Sequence, residues 1–313
     1  MAKNLLVADR TADEIDKRVA RVLERLGNPE PPLDLAAVRE LLEIDLSYFQ
    51  ASDPTLLEET LVRLKIGKKR TIQSAIALSE AVKKWSLRAL FIPDQNRILL
   101  ERSLPPPKLR WNESHEIGHS LIPWHLNSML GDNATTLSPT CHARIEAEAN
   151  YAAGRLLFLR NRFDIEVHDS QISLQVIRGL ASAFANSITT TMWRFIEVRG
   201  KHLPIVGMLS AHPNPVRRNP EFDPTKPCRY LIQSRLFSER FGNTSELDLF
   251  RLISGYAKHA SRGPLGADEI VLKDDSGERH LFAFETFWNG HEALTLGTYL
   301  RPVPELIAVN LSR

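Results

Sequence analysis

Apolar positions in the first part of the chain repeat at three and four residues, the spacing of a helix with one buried face. Ile15, Val19, Val22, Leu23 and Leu26 make such a stripe, with Thr11 and Glu14 ahead of it as a capping box and Gly27 behind it as a stop. After the linker prolines Pro29, Pro31 and Pro32, Asp34 opens a second helix with Leu35, Val38, Leu41 and Leu42 inward. Ser52-Asp53-Pro54 caps a third, running towards Ile66, and Thr71–Trp85 reads as a further helical stretch. The basic run Lys68-Lys69-Arg70 between them reads as a solvated turn. Then the texture changes. Leu87–Ile92 and Arg97–Leu100 are short apolar runs on either side of Pro93-Asp94-Gln95-Asn96, which predicts a hairpin.

Pro105-Pro106-Pro107 breaks that pattern, and the next helix is predicted from about Leu109 to Trp124. Residues 127–139 read as a polar loop, and a long helix follows from about Thr140 to Leu159. Two amphipathic helices fill Ser173–Arg199, divided at Asn186-Ser187. Leu174, Ile177, Leu180, Ala181 and Phe184 stripe the first; Ile188, Met192, Phe195 and Ile196 stripe the second. Beyond Lys201, Cys228–Gln233, Glu269–Lys273, Arg279–Thr286 and Ala293–Leu300 carry β-formers, with turns at Asp275-Ser276-Gly277 and Asn289-Gly290 that suit a meander. The reading is an α+β chain in three parts: a mostly helical domain with a small sheet over 1–165, a helix-turn-helix-like pair over 166–200, and a β-rich domain over 201–313.

Bulk properties narrow the function classes. A chain of 313 residues with 43% hydrophobic and 25% charged residues is an ordinary globular composition, long enough for two domains. A formal charge of +2 sets up no global field that would recruit nucleic acid, and Arg178, Arg194 and Arg199 on the helical pair are too scattered to argue for DNA contact. No apolar run reaches the length of a membrane span, and Met1–Arg10 lacks the apolar core of a signal peptide. Two cysteines, Cys141 and Cys228, make no disulfide framework. A cytoplasmic, reduced protein without a membrane partner is the expectation. Cys141 reads as an inert core thiol and His142 as a surface histidine.

The chemistry concentrates in His115-Glu116-Ile117-Gly118-His119. On a helix, the two histidines lie on one face, one turn apart, and can grip a single Zn²⁺ with the glutamate between them placed to act as a base. With 10 histidines in 313 residues, HExxH arises by chance in only ~1–2% of such chains. Catalytic zinc sites commonly take three protein ligands. The metzincin continuation HExxHxxGxxH is absent, because Ser120-Leu121-Ile122-Pro123-Trp124-His125 follows. The third ligand must come from elsewhere, and Ile145-Glu146-Ala147-Glu148-Ala149-Asn150 offers two carboxylates. Residues two apart differ by about 200° around a helix, so Glu146 and Glu148 cannot both reach one ion, and periodicity does not choose between them. Asn150 is a candidate to orient an imidazole from behind.

Three stretches carry a resemblance. Asp34–Leu42, then Arg110-Trp111-Asn112-Glu113-Ser114-His115-Glu116-Ile117-Gly118-His119, then Glu146-Ala147-Glu148-Ala149-Asn150-Tyr151-Ala152-Ala153-Gly154-Arg155-Leu156-Leu157 resemble, in order, the ImmA/IrrE family of metallopeptidases. The likeness covers roughly 30–160 well and 170–200 loosely. Ser114 and Asn112-Glu113 depart from the usual RFTLAHEIGH signature, and Phe158-Leu159 stands where Met-Pro is common; no ligand is lost. The resemblance implies a zincin-like, gluzincin-type domain with His115, His119 and Glu146 as metal ligands and Glu116 as catalytic base. It implies Zn²⁺, with Mn²⁺ left open, and a selective endopeptidase that cleaves a helix-turn-helix (XRE-like) repressor. The competing reading is a non-enzymatic regulator or binding protein that retains the zinc site. Some members carry a GAF-like sensor at the C-terminal end, and the β pattern here is compatible with one.

Overall fold

The computed structural model describes residues 5–49, 89–130 and 139–304. The helices expected over 53–66 and 71–85, the basic run 68–70, most of the loop expected over 127–139 and the side chains of Cys141 and His142 lie outside the described residues. Among the described residues there are ten α-helices and two sheets, an α+β fold with a β-rich C-terminal region. The chain divides into two compact units, Val7–Arg162 with Ala183–Asn186, and Phe163–Ser182 with Ser187 onward and the extreme N-terminus. No helix of the described residues is long and apolar enough to cross a membrane.

The first unit opens with α1 (Asp9–Arg25), whose Ile15, Val19, Val22 and Leu23 are buried. It begins two residues before the expected capping box, and Ala8 at its N-cap makes no side-chain bond. Burial of the stripe, not the cap, sets its position. Its end matches the glycine signal. Gly27 adopts φ +76°, and the Asn28 N–H returns to the Leu23 carbonyl at 2.8 Å. α2 (Leu35–Leu41) is capped by the Asp34 side chain, which accepts from Ala36 N–H. β1 (Asp45–Phe49), β2 (Ala89–Ile92) and β3 (Arg97–Glu101) form a sheet of order β1-β3-β2, parallel between β1 and β3 and antiparallel between β2 and β3. Asn96 in the hairpin turn takes φ +45°, and its amide donates to the Leu42 and Glu43 carbonyls at the end of α2.

Three helices complete this unit. α3 (Pro106–Leu121) starts at the proline run that the sequence reading took as a break. Pro106 and Pro107 occupy its first positions, where a missing N–H costs nothing and a fixed φ is already helical. α4 (Pro123–Leu130) again begins on a proline, after Ile122 turns extended at φ −109°, ψ 100°. α5 (Pro139–Leu157) packs against both α1 and α3. A half-buried ion pair, Arg155 Nε to Asp16 Oδ1 at 2.6 Å, joins α5 to α1, and Arg39 Nε to Glu113 Oε1 at 2.6 Å joins α2 to α3. Helix α3 also lies against β2 and β3.

The second unit contains α6 (Asn161–His168), α7 (Leu174–Ala183) and α8 (Ile188–Arg199), then β4 (Ile205–Ser210), β5 (Cys228–Gln233), α9 (Arg235–Arg240), α10 (Glu246–Tyr256), β6 (Gly263–Lys273), β7 (Arg279–Trp288) and β8 (Ala293–Pro302). Its five-stranded antiparallel sheet has the order β5-β4-β8-β7-β6. Helix α8 is capped by Ser187 and covers β4 and β5. Its Thr191, Met192, Arg194, Phe195, Ile196 and Val198 are buried, while Thr189, Trp193 and Glu197 on another face are half-buried. The approach is close. A Cβ on Gly207 of β4 would stand 2.4 Å from Ile196 Cδ1. The core is aromatic, with Phe237, Phe241, Phe282 and Phe284 packed among Val206, Met208 and Leu231. Phe241 and Phe282 meet edge to face at 5.0 Å between centroids.

Candidate metal centre

Four elements of the first unit meet at the HExxH motif. Helix α3 carries His115 and His119 one turn apart, and α5 brings Glu146 to them. The close approach depends on Gly118. A Cβ there would lie 2.8 Å from the Ala149 carbonyl oxygen and 3.3 Å from the Ala152 Cβ. The alanine-rich face of α5 and the glycine of α3 thus let the two backbones touch, and the side chains on either flank converge.

One donor atom from each of His115, His119 and Glu146 lies within 4.8 Å of the others. The two Nε2 atoms are 3.1 Å apart, Glu146 Oε2 is 3.2 Å from His115 Nε2, and Glu146 Oε1 is 3.7 Å from His119 Nε2. Ligands about 2.0–2.2 Å from a tetrahedral zinc are about 3.3–3.5 Å from one another, so this spacing suits a small cation. Glu148 does not take part. It points instead at Trp124 and His125. The geometry therefore separates two carboxylates that helical periodicity left equivalent.

Hydrogen bonds fix what the imidazoles present. His115 Nδ1 is 3.0 Å from Asn150 Oδ1, a carbonyl that can only accept; in the neutral ring with its proton on Nδ1, Nε2 keeps the lone pair. Glu148 Oε2 lies 3.0 Å from His125 Nε2 and accepts from Trp124 Nε1–H at 2.6 Å. His125 Nδ1 in turn lies 3.1 Å from His119 Nδ1. With neutral rings, the carboxylate takes the His125 Nε2 proton, His125 Nδ1 accepts from His119 Nδ1–H, and His119 Nε2 is left with a lone pair. Two imidazole lone pairs and a carboxylate then face one another across 3.1–3.7 Å. Such a set of acceptors is held together by positive charge, whether a shared proton or a metal ion.

The electrostatics follow. Burial opposes charging His115, but Glu146, Glu116 and Asn150 outweigh it and raise its pKa. Burial drives the Glu116 carboxyl up to about 7; the His115 charge and the Phe91 N–H pull it back, while the Glu146 charge adds to the rise. Burial would also raise Glu148, yet the bonds from His125 and Trp124 prevail and hold it below the usual carboxylate range. Glu116 is 6% exposed and bonds to the backbone of β2, which is an edge strand among the described residues.

His115, His119 and Glu146, singled out from the sequence, thus come together, with Glu116 and Asn150 beside them. His125, for which the sequence suggests no role, and Glu148, the other carboxylate on α5, form a second layer. The only sequence signal for that layer is the proline at 123, which starts a new helix and turns Trp124 and His125 back towards α5.

No family model matches the chain, and no curated protein does. Among solved structures it is similar to a Mycobacterium tuberculosis transcriptional regulator, with 13% identity and a TM-score of 0.54, over 94% of this chain and 78% of that one. At that identity the likeness concerns the fold.

Proposed function

We propose that the protein is a zinc-dependent regulatory endopeptidase that cleaves one specific protein partner, a helix-turn-helix repressor. The convergence of His115, His119 and Glu146, with both Nε2 atoms turned inward, carries this reading. His₂Glu is a donor set suited to zinc, and a zinc ion held by these residues supplies Lewis acidity at the scissile carbonyl. Glu116 accepts a proton from the attacking water and delivers it to the departing amine nitrogen. Its anchoring to Phe91 N–H supports a substrate strand lying beside β2, where an extended peptide finds backbone partners. Asn150 and His125 hold the imidazole rings in place. The regulatory part of the reading draws on the resemblance to ImmA/IrrE peptidases and on the name of the structural neighbour, a transcriptional regulator.

The test is incubation of zinc-loaded protein with the helix-turn-helix repressor encoded nearest to it, followed by mass spectrometry of the products. A single cleavage that disappears in Glu116→Gln, while zinc stays bound, supports the proposal. An intact repressor, with the biological effect preserved in Glu116→Gln, would establish the binding protein instead.

A further inference from the structure

Two acids two residues apart on α5 invite the question of what the second one does. Glu146 faces the imidazole pair, and Glu148 is turned about 200° away around the helix axis. Instead of reaching solvent it is buried, 5% exposed, with Trp124 Nε1 and His125 Nε2 both on its Oε2 and Arg144 Nε 3.9 Å from Oε1. His125 is fully buried between Glu148 and His119. A carboxylate and an imidazole placed in a helical core carry a desolvation penalty, and replacing such a pair with apolar side chains is often neutral or stabilising. Packing alone does not account for them.

The chain of contacts ends at one atom, His119 Nδ1. We infer that Glu148 and His125 are positioning residues of the metal centre: Glu148 fixes the tautomer and rotation of His125, and His125 fixes those of His119. The consequence is a His119 Nε2 lone pair aimed at the site before any ion arrives. His115 receives the same service more cheaply, from the exposed Asn150 at 3.0 Å. The two ligands are thus prepared by unlike devices, one at the rim and one sealed in the core. Trp124 is the outer stop, holding the Glu148 oxygen that His125 uses, with the Arg18 guanidinium 5.7 Å from its ring centroid. The inference rests on the zinc reading above, and it adds residues that lie outside the HExxH motif.

Zinc affinity, measured by competition with a chromophoric chelator, tests it without any substrate. His125→Phe should weaken zinc binding about 10- to 100-fold, the usual cost of removing an outer partner of a ligating histidine. His125→Asn, whose Oδ1 can still accept from His119 Nδ1–H, should recover most of that loss. Glu148→Gln, which keeps an oxygen acceptor for His125, should stay closer to wild type than Glu148→Leu. Circular dichroism of the metal-free variants checks that each is folded, and the Asn and Gln variants serve where Phe or Leu does not fold. In the Co²⁺-loaded protein, His125→Phe should shift the visible bands and His125→Asn should restore them. Affinities of His125→Phe and wild type within about threefold would overturn the inference, as would an Asn variant as weak as Phe. Failure of the wild type itself to bind zinc would instead remove the zinc reading, and this inference with it.

Discussion

The two compact units fill their interiors with different chemistry. In the first, the buried residues include two carboxylic acids, Glu116 and Glu148, together with His119, His125 and Arg155. In the second, the same depth holds Phe237, Phe241, Phe282 and Phe284, and no aspartate or glutamate is buried among the described residues. Several of its buried polar groups pair locally. Thr286 bonds Tyr256 and Thr295 at 2.7 and 3.0 Å, and Arg194 pairs with Asp164 and Glu197 at 2.9 and 3.1 Å. Those contacts finish a hydrophobic core. In the first unit, by contrast, Glu116 lies beside the imidazole pair and Glu148 reaches it through His125, each buried against its own desolvation cost. Burying ionisable groups in one place, against the local interest of stability, is the signature of a site.

That contrast can be broken by mutation. The largest effect belongs to Glu116→Gln, which should lower the rate of repressor cleavage about 10²–10⁴-fold with zinc still bound. A variant that cleaves at near wild-type rate would remove Glu116 from the chemistry. Next is Phe282→Ala in the second unit, which should cost about 3–5 kcal/mol by calorimetry or denaturant unfolding. Zinc affinity should not move with it. A parallel fall in affinity would mean the two cores are not separate investments.

Glu116 should also leave a mark on stability in the metal-free protein. Its folded-state carboxyl titrates near about 7 against an ordinary value of 4.5, so the folded state holds the proton more tightly. The associated stabilisation is complete below about pH 4.5 and is lost as pH rises through about 7. Glu116→Gln lacks this dependence, so its advantage over wild type should grow between pH 5 and pH 8, towards about 3 kcal/mol. Denaturant titrations at the two pH values, with a chelator present, measure it. Equal differences at both would show that the buried acid carries no such cost. The smallest effect is Gly118→Ala. Its methyl meets the Ala149 carbonyl oxygen at 2.8 Å, so α3 and α5 must part, at about 1–3 kcal/mol, and zinc affinity should fall as Glu146 is drawn away. Unchanged affinity would show that the glycine serves packing alone.

Strand β4 and helices α9 and α10 of the second unit have no counterpart in the sequence expectations, for identifiable reasons. Ile205–Ser210 became the interior strand β4, buried along its whole length, so it shows none of the alternation that marks a strand with one wet face. Helices α9 and α10 sit in what read as a β-rich region. Their N-cap serines were a usable signal: Ser234 accepts from Phe237 N–H and Ser245 from Asp248 N–H. Pro105–Pro107 reads as a break and Pro123 falls inside the helix predicted to reach Trp124, yet Pro106 and Pro123 each start a helix, because the first helical position needs no N–H.

The sequence by itself determined the pieces that local spacing can encode. These are the α1 stripe, the hairpin turning at Pro93–Asn96, and two histidines on one helical face with a glutamate between them. It also narrowed the remaining ligand to two acids. Spacing did not divide the labour between Glu146 and Glu148; the family resemblance pointed to Glu146, and the tertiary structure supplies the reason. Both have apolar neighbours at helical spacing, and the difference lies in what packs against each side of α5. One side meets the imidazoles of α3, brought close by Gly118; the other meets Trp124 and His125, carried back by a helix that Pro123 begins. Periodicity records which residues share a face, but not which neighbour that face will meet.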